Sequence, residues 1–174
     1  MKKPETLEEF IKQNPHLKEF YPMLGQLNKE SHRGAVVLSC SFIEDQLRNI
    51  LASFLIETKE TEKLLEGFNA PLGTLSSRAV MAHSLGLITD NEYKEIEILK
   101  KIRNEFAHNF KATFNDQKIV DLCKILKFSA KDYGDVVVDA FGQYNTAAVA
   151  LILNFTNRPH YVSKSRLTKR EWPY

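Results

Sequence analysis

The sequence predicts a single all-α domain, a helical bundle of roughly six to eight helices. Apolar residues recur at alternating spacings of three and four, as they do on one face of an α-helix. Helix-start signals precede most of these stretches. The only β-like run is Val136 to Val138, and three residues are too few for a sheet. A chain of 174 residues, 43% hydrophobic and 26% charged, has the composition of an ordinary globular domain.

The first half of the chain begins with two short helices. TLEE, which starts at Thr6, has the pattern of a capping box and opens a helix that ends before Pro15. The next helix is expected to bend or break at Pro22, because proline removes a helical hydrogen bond. Ser31 then caps the longest element. The apolar face of that element, which predicts a central helix, comprises Val36, Cys40, Ile43, Leu47, Ile50 and Phe54.

The second half alternates helices with stop and start signals. A short helix around EKLLEGF leads into the loop NAPLGT. Thr74 opens a helix that stops at Gly86, and Thr89 begins a second capping-box pattern, TDNE, before a long helix. Asn115 is predicted to cap the next helix. The last apolar helix is predicted to end before Pro159.

The net charge of +2 is concentrated at the C-terminus. Residues 160–174 carry four Lys or Arg and one acid, which gives this segment +3 and leaves −1 for residues 1–159. We therefore divide the chain into a helical domain at 1–159 and a basic, aromatic segment at 160–174. The near-neutral body makes direct DNA binding doubtful, because DNA-binding proteins neutralise several phosphates.

Membrane segments, metals and cofactors are not expected. The N-terminus lacks the apolar region of a signal peptide, and no run reaches the about 18 apolar residues of a membrane span, which indicates the cytoplasm. Cys40 and Cys123 lie in apolar helical patterns without metal-ligand spacing. We expect both to be reduced thiols in the core.

An arginine interrupts the apolar face of the helix that follows Thr89. Arg103 falls in the same series as Ile96, Leu99, Phe106 and Phe110. A cation there must pair, extend to solvent or face a partner. One interpretation is structural: Arg103 binds Glu44 or carbonyls of the loop at 67–74. In that case the loop packs against this end of the helix, and His108 caps the helix C-terminus.

A second interpretation is catalytic. Arg103-Asn104-x-x-x-His108 resembles the Arg-x4–6-His motif of the HEPN superfamily, helical proteins that include metal-independent ribonucleases. The resemblance implies that His108 and Arg103 activate a ribose 2′-hydroxyl and stabilise the phosphate transition state, with the motif duplicated across a dimer. Imidazole transfers protons near neutral pH, and guanidinium binds phosphate. Because the two side chains are about 140° apart on an ideal helix, a loosened helix end or a second chain would have to bring them together.

A longer resemblance covers roughly residues 30–110 and continues more weakly through the last helix. It rests on RGAVVLSCSFIEDQL from Arg33, GFNAPLGTLSSR from Gly67, LGLITDNEY from Leu85 and IRNEFAH from Ile102. In this order and spacing they resemble the MltR (mannitol operon repressor) family. The resemblance implies an all-helical regulator without a recognisable helix-turn-helix. Its signature residues here are Arg33, Glu44, Asn69, Pro71, Gly73, Arg78, Arg103, Asn104 and His108.

The C-terminal segment is predicted to contact a partner. Cations and aromatics interleave there, and both kinds of side chain carry interface energy: Tyr161, Lys164, Arg166, Arg170 and Trp172. An acidic protein surface is favoured over DNA, because four cations support only weak binding to nucleic acid. RNA and a second copy of the chain stay open as partners.

Three functions stay open at this point. The favoured one is a regulator or binding module of the MltR type that acts through protein–protein contacts. The alternatives are a HEPN-type ribonuclease, using Arg103, Asn104 and His108, and an antitoxin or immunity protein that neutralises a toxin.

Overall fold

The computed structural model describes residues 6–173, apart from the side chains of Leu7 and His16; residues 1–5 and Tyr174 lie outside that range. Its eight α-helices confirm the all-α prediction and the predicted number of helices. They are α1 (Leu7–Gln13), α2 (Phe20–Leu27), α3 (His32–Phe54), α4 (Lys59–Leu65), α5 (Leu75–Ser84), α6 (Asp90–His108), α7 (Gln117–Lys124) and α8 (Ala140–Val162). Short 3-10 helices lie at Pro15–Leu17 and Ser163–Ser165.

The centre of the bundle is the contact between α3 and α8, each 23 residues long. Helices α5 and α6 pack on α3, and α7 packs on α6 and α8. Each fully buried Leu or Ile in this core stabilises the fold by about 1.5–3 kcal/mol. The predicted face of α3 is confirmed: Val36, Cys40, Ile43, Leu47 and Ile50 are buried, and Phe54 packs against the core. No helix among residues 6–173 is long and apolar enough to cross a membrane.

The predicted helix starts are largely confirmed by their hydrogen bonds. The side chain of Thr6 accepts from the backbone N–H of Glu9, and that of Ser31 from the N–H of Gly34. At the start of α6, Thr89 and Glu92 cap each other reciprocally, so two otherwise unpaired N–H groups are satisfied.

Glu92 also joins α6 to the end of α8. Its buried carboxylate lies 2.6 Å from Nη2 of Arg158, and Arg158 Nη1 donates to the carbonyl of Leu87 over 2.7 Å. A buried carboxylate is tolerated when its oxygens are paired and hydrogen-bonded, and Glu92 meets that condition through its cap and its ion pair. The last turns of α8 are therefore fixed to the first turn of α6.

Three helix boundaries differ from the predictions. Pro22 does not interrupt α2, because it lies in the first turn, where the N–H has no helical partner to lose. The residue at the N-cap of α7 is Asp116 rather than Asn115. Helix α8 continues through Pro159 to Val162, because one missing N–H costs one hydrogen bond and the helix ends within the next turn. The predicted boundary at 159/160 therefore falls inside α8.

Candidate functional site

Arg103 is half-buried on α6 and lies beside Cys40 of α3. Burial raises the pKa of the Cys40 thiol, while a hydrogen bond with Tyr144 and the charge of Arg103 offset part of that rise. Among residues 6–173, no carboxylate or loop carbonyl lies within hydrogen-bond distance of Arg103. The expectation that Arg103 binds Glu44 or the loop at 67–74 is wrong.

Arg78 of α5 makes the contacts that were expected of Arg103. Only 6% of Arg78 is exposed. Its Nε donates to the carbonyl of Leu72 over 2.8 Å, and Nη2 donates to the carbonyl of Leu65 over 2.8 Å. Nη1 lies 3.2 Å from the carbonyl and 3.5 Å from the carboxylate of Glu44. One buried guanidinium therefore joins α3, the end of α4 and the loop before α5.

That loop has the conformation its residue types indicate. Gly67 has φ +99°, and Asn69 has φ +59°, which Asn tolerates better than most residues. A Cβ at Gly73 would lie 2.9 Å from the carbonyl oxygen of Ala70, so this position requires glycine. Pro71 is exposed between them. These residues set a turn.

The loop at 67–74 is hydrogen-bonded to α4 and α5. The backbone N–H of Leu72 donates to the carbonyl of Leu64 over 2.8 Å, and Arg78 binds the Leu72 carbonyl. The described hydrogen bonds of the loop do not reach the Arg103–His108 end of α6, where we had expected it to pack.

Arg33 of α3 caps the C-terminus of α6. Its Nη1 donates to the carbonyl of Phe106, and its Nη2 donates to the carbonyls of Asn109 and Phe110 over 3.0 and 2.8 Å. His108, predicted to do this, is exposed, and its side chain makes no hydrogen bond with residues 6–173. Phe110 is also exposed, because the helix ends at His108 and the apolar series ends with it.

Asn104 faces an open groove of about 610 Å³ between α6 and α7. Leu122 and Ile125 form much of its apolar floor, and an ion pair of 2.5 Å between Glu105 and Lys118 joins the two helices. Arg103, Asn104 and His108 therefore have three different surroundings: the Cys40 side chain, the α6–α7 groove and solvent. Within one chain they do not form a shared phosphate site.

A buried pair of hydroxyl groups between α3 and α8 was not predicted from the sequence. The hydroxyls of Ser39 and Tyr144 lie 2.8 Å apart between α3 and α8. Burial raises the pKa of Tyr144 well above its usual value and raises the pKa of Cys123 to about 12. Cys40 and Cys123 are both buried and free. The sequence contained one indication of this hydroxyl pair: Ser39 and Tyr144 each place a hydroxyl group within an otherwise apolar helix pattern.

His83 makes local contacts at the surface. Its ring stacks on Tyr93 with centroids 4.6 Å apart, and Nε2 lies 2.8 Å from Oδ1 of Asp90. This hydrogen bond lowers the pKa of Asp90. No group of three or more metal-binding side chains occurs in the described part of the chain.

After α8 ends at Val162, the C-terminal segment is anchored beside the end of α3. The backbone N–H of Leu167 donates to the carbonyl of Phe54, at the end of α3, over 2.8 Å. Arg166 Nη1 lies 3.4 Å from both the carbonyl of Leu55 and the carboxylate of Glu57. The segment therefore leaves the bundle at a defined point beside the end of α3.

All five predicted partner-binding residues are exposed. Trp172 is 72% exposed, and Tyr161 carries the ammonium of Lys164 over its ring at 5.6 Å. Arg170 is also exposed, whereas Tyr174 lies outside the described residues. The segment thus presents cations and aromatics together.

Most of the chain matches a known protein family. The model of the mannitol repressor family, MtlR, matches residues 22–166. The chain belongs to the MtlR family. The match extends beyond the stretch at 30–110 and includes every signature residue named above. Of the C-terminal segment it includes Tyr161, Lys164 and Arg166, while Arg170 and Trp172 lie beyond it.

A solved structure has the same fold as this family member. It is a chain of the X-ray structure of the MtlR–HPr complex from Escherichia coli, with 22% sequence identity and a TM-score of 0.59. The similarity covers 82% of this chain and 97% of that chain. No curated protein matches the chain.

Proposed function

We propose that this MtlR-family protein is a cytoplasmic regulator that acts by binding protein partners, and that HPr is one of them. The observation that carries the proposal is the family match over residues 22–166, which spans the bundle and all its signature residues. The similar E. coli structure is that of an MtlR–HPr complex, which supports the choice of HPr as a partner.

The surface chemistry agrees with a protein-binding role. The C-terminal segment combines exposed aromatic and cationic side chains, the types that dominate the energy of protein interfaces. Its anchor on α3 limits the entropy that such a segment loses when it binds. We therefore propose that Tyr161, Lys164, Arg166, Arg170 and Trp172 contact an acidic protein surface.

Isothermal titration calorimetry of the full chain with purified HPr tests the choice of partner. We expect saturable heat with a defined stoichiometry, and none with serum albumin at the same concentration. If HPr at about tenfold excess over the chain produces only heat of dilution, the choice of HPr is wrong.

The ribonuclease and toxin-neutralising alternatives gain no support from the arrangement of side chains. Arg103 lies beside Cys40, Asn104 lines a groove, and His108 points to solvent. Incubation of the protein with structured and single-stranded RNA, without metal, tests the first alternative directly. Appearance of 2′,3′-cyclic phosphate ends, lost in His108→Ala, would establish it.

A further inference from the structure

One surface turn is both acidic and apolar. We call residues 132–139, DYGDVVVD, the acidic turn; it contains three aspartates and no cation. Tyr133 is 86% exposed and Val137 79% exposed, and Val136 is exposed beside them. Large apolar side chains grouped on an exposed turn mark a contact surface more often than chance. None of the functions considered above uses this turn.

The acidic turn has a defined conformation. Tyr133 and Val136 exchange two backbone hydrogen bonds of 3.1 and 3.0 Å, and the N–H of Val138 donates to Oδ1 of Asp132 over 2.7 Å. Asp139 caps α8 through the N–H of Gly142. The backbone of Val137 makes no hydrogen bond with residues 6–173. The N–H and C=O of Val137 are therefore available to a binding partner.

The C-terminal segment has the complementary properties. Residues 163–173 carry Lys164, Arg166, Lys169 and Arg170 against one acid, Glu171. Beyond Leu167 the backbone is neither helical nor hydrogen-bonded to residues 6–173. The segment is therefore a basic and aromatic stretch with free backbone groups, whereas the turn is acidic and apolar.

The two surfaces of one molecule cannot meet. The acidic turn directly precedes α8 and the C-terminal segment directly follows it, so they are separated by about 34 Å, the length of a 23-residue helix. Leu167 is held at the end of α3, and the residues at 168–173 can extend by about 20 Å. The complementary partner of each surface must lie on another chain.

We propose that the C-terminal segment of one copy docks on the acidic turn of a second copy. Lys169 and Arg170 face Asp132 and Asp135, and Trp172 covers the exposed valines. The contact joins two different surfaces, so it is heterologous and continues head to tail into a ring or an open chain. It rests on the proposed function in one respect only: that the segment binds an acidic protein surface.

Sedimentation velocity of the full chain tests this inference. We expect the mean mass to rise with protein concentration at low salt and to fall toward the monomer at about 0.5 M salt, where the Debye length is only a few ångströms. A monomer at every concentration and salt would overturn the inference.

Substitutions that change the charge of the C-terminal segment or of the acidic turn test whether these two surfaces make the contact. Lys169→Glu with Arg170→Glu reverses the charge of the segment from +3 to −1, and Asp135→Lys with Val137→Lys removes the net charge of the turn, from −3 to 0, without touching Asp132 or Asp139. We expect roughly tenfold weaker self-association for each variant alone, and restored association when the two are mixed. Lys12→Glu with Lys29→Glu, two exposed positions elsewhere, is the matched control and should associate like the wild type.

The same variants separate this inference from the choice of HPr. If the reversed segment self-associates like the wild type, or the mixture stays monomeric, the inference is wrong. If the wild type self-associates as expected and HPr gives no heat, the self-association stands and HPr is not the partner. If the wild type is monomeric and the variant with Lys169→Glu and Arg170→Glu loses HPr binding, the C-terminal segment binds HPr and not a second copy.

Discussion

Arg78 and Arg103 are both arginines on helices that face α3, yet only Arg78 is bound on all sides. Arg78 lies in the first turn of α5, next to a loop and to the end of α4, where carbonyl groups are free. Arg103 lies in the middle of α6, where neighbouring carbonyls already accept helical hydrogen bonds. An arginine on a helix finds acceptors where helices begin and end, so its position along the helix matters more than its place on the apolar face.

Arg33 follows the same rule. It lies at the start of α3, opposite the end of α6, and binds carbonyls that the helix leaves unpaired. Asn109 and Phe110 are exposed, so water can replace Arg33 there, whereas the acceptors of Arg78 are enclosed. These three arginines should therefore contribute to stability in the order Arg78, Arg33, Arg103.

The largest effect is expected for Arg78→Met. The substitution leaves enclosed carbonyls and the Glu44 carboxylate without a donor, so the free energy of unfolding should fall by about 3 kcal/mol. Urea denaturation measures the change. Arg78→Lys keeps the charge but loses the fork of donors, and should lie between the wild type and Arg78→Met. A loss below about 0.5 kcal/mol would contradict a structural role for Arg78.

A smaller effect is expected for Arg33→Met. Loss of this cap should reduce the free energy of unfolding by about 1–2 kcal/mol, because part of the α6 end becomes hydrated instead. Hydrogen exchange should quicken at the last turn of α6 and not at α5. Lys29→Met, at a nearby exposed position, is the control. Equal exchange at both helices would show that Arg33 acts on the whole fold.

Arg103→Met should change the free energy of unfolding by less than about 1 kcal/mol. Methionine keeps the apolar contacts of the arginine stem and removes a charge that has no carboxylate partner within residues 6–173. The loss of positive charge should also raise the pKa of the Cys40 thiol further. A loss as large as that of Arg78→Met, measured in the same urea series, would mean that Arg103 does bind a carboxylate or a backbone carbonyl.

The smallest effect concerns the exposed hydrogen bond between His83 and Asp90. The hydrogen bond from His83 lowers the pKa of Asp90 in the folded state, so its stabilisation is present above the unfolded pKa and is lost as pH falls through the folded pKa. The thermal midpoints of wild type and Asp90→Asn should therefore differ slightly at pH 7 and converge as the pH falls below the ordinary pKa of an aspartate. Asp45→Asn, exposed on α3, is the control. A difference that grows toward low pH would refute the assignment.

The sequence predicted the local features of the fold well. Thr89 and Glu92 are three residues apart, so their reciprocal cap depends only on neighbours in the chain. The apolar face of α3 likewise follows from the period of the helix. The exact ends of helices were less predictable, as Pro159 shows, because a helix can continue for one turn past a lost hydrogen bond.

The contacts of the candidate site depend on residues far apart in the chain. Arg33 and Phe110 are separated by 77 positions, and no local pattern indicates which carbonyls an arginine will reach. The family resemblance selected Arg33, Arg78 and Arg103 together, but it could not distinguish which of them are bound by carbonyls. The acidic turn was missed as a surface, because its exposure depends on where α8 begins.

The anchor of the C-terminal segment has an evolutionary consequence. Leu167 is held by its backbone N–H, so any residue except proline can keep that hydrogen bond. The MtlR match ends at residue 166, next to this anchor, and every described residue after it is exposed. Substitutions or added residues beyond Leu167 can therefore change which surface the chain recognises without repacking the bundle. New binding preferences can arise there through small mutations, while the helical body is inherited unchanged.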